Sequence, residues 1–157
     1  MKVEKVELPA LRVLAFRRVG PYGPGVGEAF CKLTSFACKN GLFCGSSIVI
    51  GSYLDCPKTT PPEQCRMDAC LTLEPQMAPA LENGFRIETL PGGLCAEYLC
   101  NVHDNDFAAP HNELAGWLPQ NGLSWDGGRP CYEFYYGPCA QTHPLKKWVI
   151  DILYPVK

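Results

Sequence analysis

Phe85-Arg86-Ile87-Glu88-Thr89-Leu90-Pro91-Gly92-Gly93 decides how this chain is organised, because it echoes Val6-Glu7-Leu8-Pro9 near the start. Around the first copy an extended region runs from Val6 to Arg17, where Val13 and Ala15 alternate with Arg12, Leu14 and Phe16 in the period of a strand. The breaker cluster Gly20-Pro21-Tyr22-Gly23-Pro24-Gly25 ends it. Ala29, Phe30, Leu33, Phe36 and Ala37 then recur at helical spacing, and Asn40-Gly41 supplies a left-handed stop. Ser47 to Tyr53 reads as a buried strand, and a proline-rich connection from Asp55 to Pro62 leads to another at Arg66 to Leu73. The second copy opens the same series. Leu94 to Val102 is its strand, Asp104-Asn105-Asp106 its breaker, Ala108 to Gln120 its helix and Asn121-Gly122 its stop; Arg129 to Tyr136 and Lys147 to Tyr154 close it.

The predicted fold is therefore α+β: tandem, pseudo-symmetric βαββ repeats at residues 1–74 and 85–157, joined by a linker at 75–84. Two repeats are too few for a solenoid. They predict one body with an antiparallel sheet, two helices packed on one side, and a ligand groove between the repeats.

With 157 residues, 46% hydrophobic and 19% charged, the chain has the composition of a single globular domain with one core. A net charge of −2 gives no basic footprint for nucleic acid or an anionic membrane surface. No apolar run reaches the roughly 18 residues of a membrane span. The opening Met1-Lys2-Val3-Glu4-Lys5-Val6-Glu7 alternates charge with valine and holds no apolar signal core. The expectation is a cytoplasmic protein without cofactor or metal, binding neither nucleic acid nor membrane. Its ten cysteines lack the C-x-x-C spacing of a zinc site or redox pair. They are expected as reduced thiols filling gaps in the core.

One carboxylate stands out in Pro130-Cys131-Tyr132-Glu133-Phe134-Tyr135-Tyr136. The period of a strand puts Cys131, Glu133 and Tyr135 on one face and Tyr132, Phe134 and Tyr136 on the other. Both faces are otherwise apolar or aromatic. A buried, unpaired carboxylate is costly and tends to mark function. Glu133 thus reads either as the counter-charge at the floor of an aromatic pocket for a cationic ligand, or as a solvated charge on an edge strand, or as a structural partner of Arg129 or Lys147.

Several further stretches resemble the GyrI-like family, which includes the SbmC-type inhibitors of bacterial DNA gyrase and shares its fold with the effector-binding domains of Rob-type and BmrR-type transcription regulators. They are Val19-Gly20-Pro21-Tyr22, Asp55-Cys56-Pro57 with Thr60-Pro61-Pro62-Glu63 and Arg66-Met67-Asp68-Ala69, Leu90-Pro91-Gly92-Gly93, Trp117-Leu118-Pro119-Gln120-Asn121-Gly122, and Arg129-Pro130-Cys131-Tyr132-Glu133-Phe134-Tyr135. They span nearly the whole chain in order. The resemblance implies two βαββ repeats and a small-molecule-binding module, in which a glutamate in the context of Glu133 binds lipophilic cations. It begins within the first ten residues, so a stand-alone module without a helix-turn-helix is expected.

The partner implied is a small cationic or amphipathic molecule, with DNA gyrase as an alternative partner. A third reading is hydrolysis of small reactive compounds, in which family members use this glutamate with a tyrosine after the Pro-Gly-Gly turn. Here Cys95 stands where that tyrosine would be, and Tyr98 would face the other side of the strand. Candidate ligand-binding residues are Glu133, Trp117, Tyr135, Tyr22, Tyr53 and Cys95; none is assigned a catalytic role. Asp151 is expected to face solvent, and Arg66 and Asp68 to form an ion pair.

Overall fold

The computed structural model describes residues 1–157. Its strands are β1 (Glu4–Leu8), β2 (Leu11–Val19), β3 (Val49–Tyr53), β4 (Arg66–Thr72), β5 (Phe85–Leu90), β6 (Gly93–His103), β7 (Cys131–Tyr136) and β8 (Lys147–Pro155). Helix α1 (Val26–Lys39) lies between β2 and β3, and α2 (Ala108–Gln120) between β6 and β7. All strand pairings within the units described below are antiparallel, so the α+β class read from the sequence holds.

The chain forms two compact units, one of residues 10–91 and the other of residues 1–9 with 92–157. In the first the strands run in the order β3-β4-β2-β5; in the second they run β7-β8-β6-β1. These are the same order, with β2, β4 and β5 matched by β6, β8 and β1, so the duplication is a structural one. Its boundaries differ from those read in the sequence. Strand β1 pairs with β6 (Val6 opposite Cys95) and β5 pairs with β2 (Leu14 opposite Ile87), so the opening strand of each repeat serves the other unit. Pro9 and Pro91 sit where each opening strand stops, because proline has no amide hydrogen with which to continue a ladder.

Each unit lays one helix over one face of its strands. Ala29, Leu33, Phe36 and Ala37 of α1 pack on Leu14, Met67, Ala69 and Leu71. Leu114 and Leu118 of α2 pack on Ala96, Val102, Ile150 and Ile152. Both helices end alike. Gly41 and Gly122 take φ of +64° and +69°, which costs an L-residue but not glycine. The amides of Leu42 and Leu123 then return to the carbonyls of Ala37 and Leu118. The side chains of Asn40 and Asn121 also donate back, to the carbonyls of Phe36 and Trp117. This paired hydrogen-bond pattern satisfies carbonyls that a bare helix end leaves open.

All ten cysteines are free thiols, but they do not all fill the core. Cys65, Cys70 and Cys95 are buried as expected, whereas Cys31, Cys38, Cys44 and Cys56 are exposed. Arg66 pairs with Asp55 rather than Asp68. Asp68 instead takes a two-pronged bond from Arg17 and a further one from Arg86. The register explains the change: Arg17 lies directly opposite Asp68, while Arg66, at the strand start, reaches the loop that carries Asp55.

Candidate functional site

The α2 face of the second unit is assembled by register. Tyr98 of β6, Ile152 of β8 and Glu133 of β7 lie in one row across the strands, and Cys100, Ile150 and Tyr135 in the next. Alternation along β7 brings Cys131, Glu133 and Tyr135 to this face, as the sequence pattern required. Glu133 is only 4% exposed. It is not unpaired, however. The Nε2 of His111, from the first turns of α2, lies 2.6 Å from its Oε1, and the Tyr135 hydroxyl donates to Oε2 at 2.6 Å. An ionised carboxylate only accepts hydrogen bonds, so Nε2 carries the proton there. The expectation of an isolated charge is corrected: the strand supplies the carboxylate and the helix supplies its partner.

Aromatic rings continue outward from this pair. The Tyr135 ring meets Trp148 edge-on at 6.0 Å, and Trp148 meets Phe107 at 5.7 Å. The Trp148 indole N–H donates to the Asn105 side chain at 2.9 Å, which fixes the ring. Trp117 is half-buried against the same cluster. Burial, and then the charge of Glu133, raise the Cys100 thiol to about 12 and push Cys131 well up as well, so both remain neutral near pH 7. On the helix side Tyr98 donates to Glu113 at 2.7 Å, a bond that lifts the phenol to about 12. A cavity of about 670 Å³ opens beside this face, between Tyr98–His103 of β6 and Ala109, Pro110 and Glu113 of α2.

Among the residues singled out in the sequence, Glu133 and Tyr135 are bonded to each other, and Trp117, on α2, packs against the same core cluster as Tyr135. Cys95 does not share their face. It precedes Ala96, which points to α2, so Cys95 lies on the reverse, buried against the Arg129 guanidinium; burial raises its thiol. Tyr98 is the β6 residue that shares a row with Glu133. Tyr22 and Tyr53 lie in the first unit, edge to face at 5.1 Å, and the Tyr22 hydroxyl donates to the Arg66 carbonyl. Sequence reasoning missed His111. Its signal was present, because it sits three and seven residues before Leu114 and Leu118, on their side of the helix.

The fold and this face define a class: a duplicated α+β domain that binds small molecules. The chain belongs to the GyrI-like family, whose small-molecule-binding domain matches residues 1–157. A DNA gyrase inhibitor of Edwardsiella piscicida is 32% identical over 160 aligned positions, covering 100% of this chain and 99% of that protein. The fold is shared with the C-terminal domain of EcmrR, at a TM-score of 0.81 and 15% identity over 99% of this chain and 97% of that one. It is shared too with a protein solved bound to tetraphenylphosphonium, at a TM-score of 0.65 and 12% identity, covering 100% and 94% of the two chains.

Proposed function

We propose that this protein binds cationic, lipophilic or aromatic small molecules, to sense or sequester them, and that Glu133 is the counter-charge in the site. The observation that carries this reading is the kind of partner Glu133 has. Asp68, buried in the first unit, is held by two arginines whose charge is permanent. Glu133 is held by an imidazole and a phenol, side chains that can turn aside. A cation entering from the His111 side, where that side chain is 29% exposed, meets the Glu133 carboxylate as the imidazole turns aside. Tyr135 and Trp148 offer ring faces or edges beside it, and Trp117 of α2 packs against the same cluster; a cation over such a ring gains about 0.5–2 kcal/mol. The tetraphenylphosphonium-bound protein of the same fold supports the ligand class. In this reading Tyr22, Tyr53 and Cys95 take lesser parts than His111 and Trp148.

Titration with tetraphenylphosphonium, followed by tryptophan fluorescence, tests it against neutral triphenylphosphine oxide. Glu133→Gln removes the charge and keeps the shape, and should weaken the cation by about ten- to a hundredfold, from a loss of about 1.5–3 kcal/mol, while sparing the neutral compound. Equal losses for both would place the pocket elsewhere. A second reading, inhibition of DNA gyrase, is favoured by the full-length gyrase-inhibitor relative. A supercoiling assay in which excess protein leaves purified gyrase unaffected would remove it.

A further inference from the structure

Duplication lets each unit serve as a control for the other, and one pair of positions differs in a way that points to a ligand. Arg17 of β2 lies opposite Asp68 of β4, and Leu99 of β6 lies opposite Asp151 of β8. Leu11 and Gly93 each open the matching strand two residues after a proline, which makes Leu99 the counterpart of Arg17 and Asp151 the counterpart of Asp68. By the same register Glu4 of β1 is the counterpart of Arg86 of β5. Asp68 and Asp151 are comparably buried, at 2% and 5% exposure. Asp68 is answered by Arg17 and Arg86. Asp151 has leucine and glutamate at those two places.

The surroundings of Asp151 make the deficit worse. Its Oδ1 is buried with no donor to it, Oδ2 receives a long bond of 3.4 Å from the Tyr136 hydroxyl, and the other polar group within hydrogen-bonding reach is a second carboxyl, that of Glu97. Glu97, two residues from Leu99 along β6 and on the same face, adds a second carboxylate, and Glu4 stands opposite Glu97 with Lys2 at 3.1 Å as its partner. This face is the reverse of the one that carries Glu133, since Ile152, next to Asp151, is the residue aligned with Glu133. Leu99 is 60% exposed and Tyr136 37% exposed, so the approach to Asp151 passes between an apolar and an aromatic side chain.

We infer that Asp151, Glu97 and Tyr136 form a second binding site, independent of the Glu133 reading, for a small molecule bearing a guanidinium or amidinium group. The planar, forked donor set that Arg17 presents to Asp68 in the first unit comes here from outside the chain. Burial and the neighbouring Glu97 raise the Asp151 carboxyl to about 7, as expected for an anion without its cation. The Tyr136 phenol stands at about 12, held up by burial and Asp151.

The test uses the full chain and benzamidinium chloride at pH 8, by calorimetric titration, with neutral benzamide as the control. Benzamidinium should bind, benzamide should not, and Asp151→Asn should weaken benzamidinium at least about tenfold. Leu99→Arg installs the missing counterpart of Arg17. It should abolish benzamidinium binding and raise the melting temperature, and the added Asp151→Asn change should cancel that rise. No benzamidinium binding at millimolar concentration, equal binding of benzamide, or a loss that follows Glu133→Gln instead of Asp151→Asn would overturn the site. So would a Leu99→Arg variant that changes neither binding nor melting temperature.

Discussion

Glu133→Gln should destabilise the protein even with no ligand present. The carboxylate receives two hydrogen bonds at 2.6 Å, one on each oxygen, and is 4% exposed. Bonds to a charged acceptor contribute about 1.5–3 kcal/mol each. Glutamine keeps one acceptor oxygen, but its amide nitrogen is a donor and faces either the Nε2–H of His111 or the hydroxyl of Tyr135. One of the two contacts becomes donor against donor in a buried place. The expected net loss is about 2–4 kcal/mol, which for a chain of this size lowers the melting temperature by about 5–15 °C. Scanning calorimetry at pH 7 measures the shift, and urea unfolding gives the free energy. His111→Gln alone and combined with Glu133→Gln completes a cycle, with a coupling of about 1–3 kcal/mol expected between the two positions. An unchanged or raised melting temperature for Glu133→Gln, or additive single losses, would refute the pairing.

Three further outcomes follow from groups described above. Because the folded state raises the Asp151 carboxyl to about 7, above the ordinary value near 4, the folded protein holds more protons between those values; stability should fall as pH rises from about 4 through 7. Urea midpoints should show Asp151→Asn gaining on the wild type at pH 8 and matching it near pH 4, whereas parallel curves would contradict the assignment. In native alkylation, Cys44 and Cys139, whose thiols are lowered by hydroxyls of Ser46, Ser47 and Thr142, should react first, and buried Cys70 and Cys95 last; mass spectrometry of timed samples reads the order, and ten free thiols should be counted after denaturation without reductant. Gly41→Ala and Gly122→Ala should each cost about 1 kcal/mol in urea unfolding, because the backbone there is left-handed while nothing crowds an added methyl; a neutral result at both would mean the helix ends relax.

The strands and helices were legible because each carried its own punctuation. Helix α2 was read from Ala108 to Gln120, its full extent, since a breaker precedes it and Asn121-Gly122 stops it. Pairing was not legible. The echo between Val6-Glu7-Leu8-Pro9 and the stretch from Phe85 announces a repeat, but nothing local says that Val6 will face Cys95 rather than a residue of its own half. The site divided in the same way. Strand alternation placed Glu133 on an aromatic face, whereas His111 stands 22 residues away on another element and its role exists only after packing. Asp151 was misjudged as solvent-facing for a related reason. Val149 and Leu153 on its face favour burial, but a lone carboxylate between them reads as a polar position, and its burial depends on what β6 and β7 lay against it.

The exchange of opening strands also sets an order of events during synthesis. Strand β1 leaves the ribosome first, yet its partner residues, Gly93 to Glu97, are made only after the whole of the 10–91 unit. That unit is continuous in sequence and has all four of its strands once β5 has emerged. It can close early, through contacts that span shorter loops. The other unit must wait for β6, α2, β7 and β8, with β1 unpaired in the meantime. A circular permutant that begins at Ala10 and carries Met1–Pro9 after Lys157 would make both units continuous, and should refold faster with little change in final stability.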